Sequence, residues 1–185
     1  MSKQFESITP HLKQFIEHQQ MYFVATAATE GRVNLSPKGM DSFRVLDANR
    51  ITWLNLTGSG NETAAHLLDN PRMTIMFCSF ESKPLILRLY GEAKAVHEDS
   101  DQWQEMCALF PASTSTRQIY DMQVDMVQTS CGFGVPRYEF QQQRPTLTQW
   151  AENKSRDDVR DYWREKNLTS IDGFDTGLSE LLMED

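Results

Sequence analysis

The stretch Ile51–Pro71, I-T-W-L-N-L-T-G-S-G-N-E-T-A-A-H-L-L-D-N-P, constrains the fold more than any other part of the chain. It opens on an alternating run with β-branched and aromatic residues, the pattern of a strand. Gly58-Ser59-Gly60 breaks that strand, because two glycines admit backbone angles that other residues resist. Asn61 stands where a helix N-cap belongs, Glu62 suits a first turn, and Ala64, Ala65, Leu67 and Leu68 supply a short helix. Asn70-Pro71 ends it, since the residue before proline is driven out of the helical region. A strand, a small polar turn and a helix start in direct succession form an anion site. The first N–H groups of a helix lack internal partners, and the macrodipole adds partial positive charge there. Thr57, Ser59, Asn61 and Thr63 surround that end with hydroxyls and an amide, so a phosphate would fit. An ordinary capped turn would use the same residues, and neither G-x-x-x-x-G-K-[ST] nor G-x-G-x-x-G is present to decide between them.

Short strands dominate the rest. Met21–Ala28 and Arg32–Ser36 flank Glu30-Gly31 as a hairpin, with Pro37-Lys38-Gly39 closing the second strand. Phe43–Leu46 and Arg50–Leu56 pair across Asp47-Ala48-Asn49. Met73–Phe80 is nearly all apolar, as in a strand buried on both faces, and Leu85–Val96 alternates, with Gly91 marking a bulge or tight bend. Met122–Thr129 and Tyr138–Gln141 read as two more strands, while polar Ser113–Tyr120 gives no clear signal. Helices are predicted after Thr9-Pro10, after Asp99-Ser100, and over Leu147–Asn167, where Trp150, Val159 and Trp163 are the apolar positions. This pattern predicts a mainly β, α+β fold: a closed or split barrel of antiparallel strands with peripheral helices and a C-terminal helix. Residues 1–145 would form the barrel, and 146–185 a helical appendage of the same structural unit, with a turn at Asp172-Gly173 and an acidic end.

With 18 basic against 26 acidic residues, the net charge of −8 repels nucleic acid and anionic lipid, so neither is expected as a partner. An anionic ligand needs a local basic site instead. The three cysteines show no C-x-x-C spacing and read as free thiols of a reducing compartment. No apolar run reaches the ~18–20 residues of a membrane helix and no signal-peptide core opens the chain, so a cytoplasmic protein is expected. The scattered His11, His18, His66 and His97 offer no metal-ligand spacing, and no G-x-S-x-G is present. No catalytic residue can be named from these patterns. Three cations stand out: Arg32 and Lys38, which bracket V-N-L-S-P, and Arg88, inside L-I-L-R-L-Y-G. An arginine within an apolar strand needs an anionic partner or an exposed face, and both readings stay open.

G-R-V-N-L-S-P-K-G, then Ile51–Pro71, then L-R-L-Y-G-E-A resemble the FMN-binding split barrels of the pyridoxamine 5′-phosphate oxidase-like family over roughly residues 10–140. The V-Q-T-S-C-G-F-G-V-P segment and the C-terminal helix look like an uncharacterised subgroup. The resemblance implies FMN at a homodimer interface. Ser36, Lys38 and Gly39 would flank the flavin ring or phosphate, and Asn55, Leu56 and Thr57 would run along the isoalloxazine and ribityl chain. Ser59, Asn61 and Thr63 would hold the phosphate, and Arg88 falls on the family's strand arginine. Two departures stand out. The oxidase has a basic pair where this chain has Glu62-Thr63, and its C-terminal substrate-binding segment has no recognisable counterpart.

An FMN-dependent oxidoreductase with a small-molecule substrate other than pyridoxamine phosphate is the function these features imply. The cofactor would carry the electron chemistry, which accounts for the lack of an evident acid, base or nucleophile. The alternatives are a non-catalytic flavin-binding or sensing module, and the same barrel used for haem or a deazaflavin. The histidines offer haem no obvious axial ligand.

Overall fold

The computed structural model describes residues 2–183, so the acidic end Glu184-Asp185 lies outside the described residues. Among these described residues eight antiparallel strands share one sheet: β1 (Lys3–Phe5), β2 (Met21–Thr26), β3 (Asn34–Gly39), β4 (Phe43–Val45), β5 (Arg50–Leu56), β6 (Arg72–Cys78), β7 (Ile86–Val96) and β8 (Thr116–Ser130). The spatial order is β3-β2-β6-β7-β8-β5-β4, with β1 added on β8. Only Met40–Ser42 separate β3 from β4, although these strands stand at opposite ends of that path. Four Cα steps span at most ~15 Å, whereas seven flat strands would be ~29 Å wide. The sheet must therefore curl until its ends meet, and the result is the split barrel of the sequence expectation.

Aromatic rings fill the curl. Tyr22 packs edge-on against Phe43 at 4.9 Å, and Trp53 stacks on Tyr120 at 4.4 Å. Gly91 allows the long β7 to bend. The register with β8 shifts between Tyr90 and Gly91, and a Cβ at Gly91 would stand 1.9 Å from the Gln123 carbonyl oxygen.

Among the described residues six helices dress the barrel: α1 (Pro10–His18), α2 (Glu62–Asp69), α3 (Trp103–Cys107), α4 (Thr146–Glu152), α5 (Arg156–Lys166) and α6 (Leu178–Met183). Thr9 caps α1 by accepting from Leu12 N, with Pro10 at its start. Val159 and Trp163 of α5 form a separate small core with Leu178 and Leu182 of α6.

Several boundaries differ from expectation. Pro37-Lys38-Gly39 continue β3 instead of closing it, since β3 is an end strand of the sheet path, where proline's missing N–H leaves no ladder bond unmade. Thr116–Tyr120 belongs to β8, because it pairs with Trp53–Leu56 of β5 while Arg117 and Gln118 find buried partners at Gly60 and Asn55. Tyr138–Gln141 is not a strand; Tyr138 N bonds the Phe80 carbonyl, but no ladder follows. The helix expected over Leu147–Asn167 is two helices, because Ser155 and Asp158 make a capping box that restarts it. Of the three free thiols, Cys78 is buried and Cys131 exposed.

Candidate functional site

β3 is the first wall of the site. Asn34, Ser36 and Lys38 alternate onto its inner face, because residues two apart in a strand share a face. Ser36 Oγ donates to Asn34 Oδ1 at 3.0 Å, and Asn34 Nδ2 donates to Thr63 Oγ1 at 3.2 Å. Asn34, which sequence reasoning did not single out, thus ties Ser36 to the start of α2. Lys38 Nζ reaches Asn55 Oδ1 at 3.5 Å and lies 5.2 Å from the centre of the Trp53 ring. Burial pushes the Lys38 ammonium down to about 8, and the positive charge of Arg117 pushes in the same direction.

β5 and the turn after it supply the second wall. Asn55 and Thr57 are both 3% exposed. Asn55 Nδ2 donates to Gln118 Oε1 at 3.0 Å. The Thr57 hydroxyl donates to Ser115 O at 2.9 Å and accepts from Trp163 Nε1 at 2.8 Å, so it serves first as a clasp between β5 and α5. Leu56, between them, points the other way and lines a neighbouring cavity with Leu54 and Pro111. Strand alternation separates it from the side chains that it was grouped with.

The 58–60 turn is exposed, yet it is held from behind. Arg117, 2% exposed, donates to Gly60 O at 2.9 Å, to Gly58 O at 3.4 Å and to Asn167 Oδ1 at 2.6 Å. All of these acceptors are neutral, and burial pulls the guanidinium down to about 10. Neither Gly58 nor Gly60 takes a positive φ, so the turn's shape does not rest on left-handed glycines. Asn61 precedes α2 but makes no side-chain cap, and both polar atoms of its side chain are buried without a hydrogen-bond partner. Glu62 engages its carboxylate with the backbone N–H of Ile171 at 3.1 Å, close beside Gly60.

Lys38, Gly39, Thr57 and Gly58 line a cavity of about 680 Å³ together with Trp150 and Tyr162 of the C-terminal helices. Gln143 closes one end by accepting from Met40 N at 3.2 Å and donating to Gln20 O at 2.9 Å. Met40, at the rim, adopts a φ of 63°, a left-handed conformation uncommon for a side chain of its size. The volume suits a nucleotide-sized ligand.

Arg88 does not join this cluster within one chain. It pairs with Met76 and Gln128, and its Nη1 reaches Ser130 Oγ at 3.4 Å. Val96, the β7 residue opposite Ile119 and nearest Arg117 along the ladder, is eight residues on, ~26 Å along the strand. The cation behind the turn is Arg117, hidden in the sequence by its polar S-T-S-T neighbours and by a partner, Asn167, far along the chain.

A family model described as pyridoxamine 5′-phosphate oxidase matches residues 8–131. The chain belongs to the pyridoxamine 5′-phosphate oxidase family. It is 32% identical, over 187 aligned positions, to the pyridoxamine 5′-phosphate oxidase family protein ustO of Aspergillus flavus, covering 91% of this chain and 75% of that relative. Among solved structures it is similar to a putative pyridoxamine 5′-phosphate oxidase of Lactobacillus delbrueckii, with a TM-score of 0.54 and 18% identity over 66% of this chain and 94% of the other. An FAD-binding protein of Mesorhizobium loti matches with a TM-score of 0.50 and 9% identity, covering 70% of this chain and 97% of the other. Both structures share the family fold. The match to the oxidase family model ends at residue 131, so Gln143, Trp150, Trp163 and Asn167, which complete this site, lie beyond it.

Proposed function

We propose that the protein is an FMN-binding flavoprotein that acts as an oxidoreductase on a small molecule other than pyridoxamine phosphate. One observation carries the reading: two cations, half-buried Lys38 and buried Arg117, have only neutral hydrogen-bond acceptors, and Asn61, next to the Gly60 that Arg117 holds, has a buried amide with no partner. A buried charge without a counter-charge is unfavourable, and a phosphomonoester of nearly two negative charges would compensate both cations. The donors fit such a group. Ser59, Asn61 and Thr63 would hold the phosphate, with Ser36, Lys38, Gly39 and Asn55 along the rest of the cofactor. FMN, when bound, supplies hydride and electron transfer. The chain's own part is placement: Lys38 holds positive charge in the cavity, while Trp150 and Tyr162 exclude water where they line it. The FAD-binding protein with the same fold is in keeping with this reading.

We also propose that two copies associate, with residues of both at each site. Pro37, Phe23, Met76 and Arg88 share the outer face of the sheet, and Leu35 beside them is 61% exposed. A second copy would cover that apolar face and bring its Arg88 to the cofactor of the first. Anaerobic mixing of the FMN-loaded protein with NADH or NADPH tests the enzymatic half. Bleaching of the flavin followed by turnover on an added acceptor is expected, whereas a flavin that neither donor reduces would make this a non-catalytic flavin module.

A further inference from the structure

Asn167 is fully buried at the end of α5, and its side chain meets the turn from behind. Its Oδ1 accepts from Arg117 at 2.6 Å, and its Nδ2 donates to Gly58 O at 3.0 Å and to Ser59 O at 3.4 Å. Its own backbone is fixed on both sides, since its N–H bonds Trp163 O at 2.8 Å and its carbonyl accepts from Thr176 Oγ1 at 2.6 Å. Asn167 and Arg117 together hold the carbonyls of Gly58 and Gly60. In a planar trans peptide the N–H points opposite to the C=O. The N–H groups of Ser59 and Asn61 therefore face away from Arg117, on the other side of the turn, while the guanidinium charge lies behind it. The Asn61 side chain, 2% exposed and without a partner, is a second, independent sign of a missing polar ligand.

We propose that Asn167 is a positioning residue for a bound phosphate: it fixes Arg117 and the 58–60 carbonyls so that the turn presents outward N–H groups over a buried positive charge. Docking of the C-terminal helices and phosphate binding then favour the same arrangement, and each strengthens the other. The proposal rests on the flavin reading only for the identity of the molecule that carries the phosphate.

The test compares wild type with Asn167→Asp, which keeps size and an acceptor for Arg117 but removes the donor to Gly58 and cancels the guanidinium charge. Two quantities are measured: the rise in melting temperature of cofactor-free protein on adding inorganic phosphate, and the ratio of FMN to riboflavin affinity. Wild type should be stabilised by phosphate and prefer FMN. Asn167→Asp should lose the phosphate response, and its FMN preference should fall about tenfold, the scale of one charge-assisted contact. Val159→Ala loosens the C-terminal core away from the turn, so it should lower the melting temperature yet keep the FMN preference. If Asn167→Asp does not fold, Asn167→Ala is read in the same way, because it loses both bonds without adding charge. An unchanged preference and phosphate response in the folded variant overturns the proposal and leaves the flavin reading standing. A wild type that responds to neither phosphate nor FMN overturns both.

Discussion

Lys38 Nζ finds its hydrogen-bond acceptor in the Asn55 amide oxygen, 3.5 Å away, rather than in a carboxylate. Desolvation first, and Arg117 second, hold its ionisation down to about 8. An unfolded lysine titrates near ~10.4, so between these two values the unfolded chain binds more protons than the folded one. The stability of the cofactor-free protein should therefore rise as pH climbs from about 8 toward ~10.4, with the burial penalty fully present below that window. Phosphate affinity should move the other way, falling as the ammonium is lost. Urea unfolding of wild type and Lys38→Met from pH 7 to pH 10 isolates the effect. Wild type should gain on the variant as pH rises, and parallel curves would mean that Lys38 is solvated in the folded chain.

Asn61 separates a binding role from a capping role. Its side chain makes no cap and has no partner, so Asn61→Ala should change cofactor-free stability by less than ~0.5 kcal/mol. FMN affinity should nevertheless fall by ~1.5–3 kcal/mol, the range for a hydrogen bond to a charged group. Thermal melts and fluorescence titration check the two halves. A large loss of stability with FMN affinity intact would return Asn61 to the helix cap.

Arg88 and Asn61 stand apart within one chain, on β7 and before α2, but belong to one site of the proposed dimer. Arg88→Met and Asn61→Ala should each weaken FMN binding alone. Mixed after reversible unfolding, the two variants should recover tight binding at up to one site per mixed dimer, because that site draws its intact Arg88 and intact Asn61 from different copies. No recovery in mixed dimers would confine each site to a single chain and place Arg88 outside it.

What the sequence showed was local. Gly91 in an alternating strand announced its bulge, and Ser59, Asn61 and Thr63 announced a polar helix start through spacing alone. The Ser155–Asp158 capping box was also legible, though the surrounding charged pattern reads as one helix across it. Arg117 was not legible, because what makes it matter is burial against Gly58, Gly60 and Asn167, brought together only by the curl of the sheet and the return of α5. Thr57 shows the same limit: its position was legible, but its bond to Trp163, 106 residues on, was not. Arg88 stood out as a cation in an apolar strand, yet ladder register, which fixes its place, follows from long-range pairing.

The absorption spectrum of the protein as isolated, with mass identification of whatever heat releases from it, tests the central claim most directly. The account predicts an oxidised-flavin spectrum and release of FMN, or stoichiometric uptake of FMN by colourless protein. A haem spectrum, a released deazaflavin, or colourless protein that takes up no FMN would contradict it.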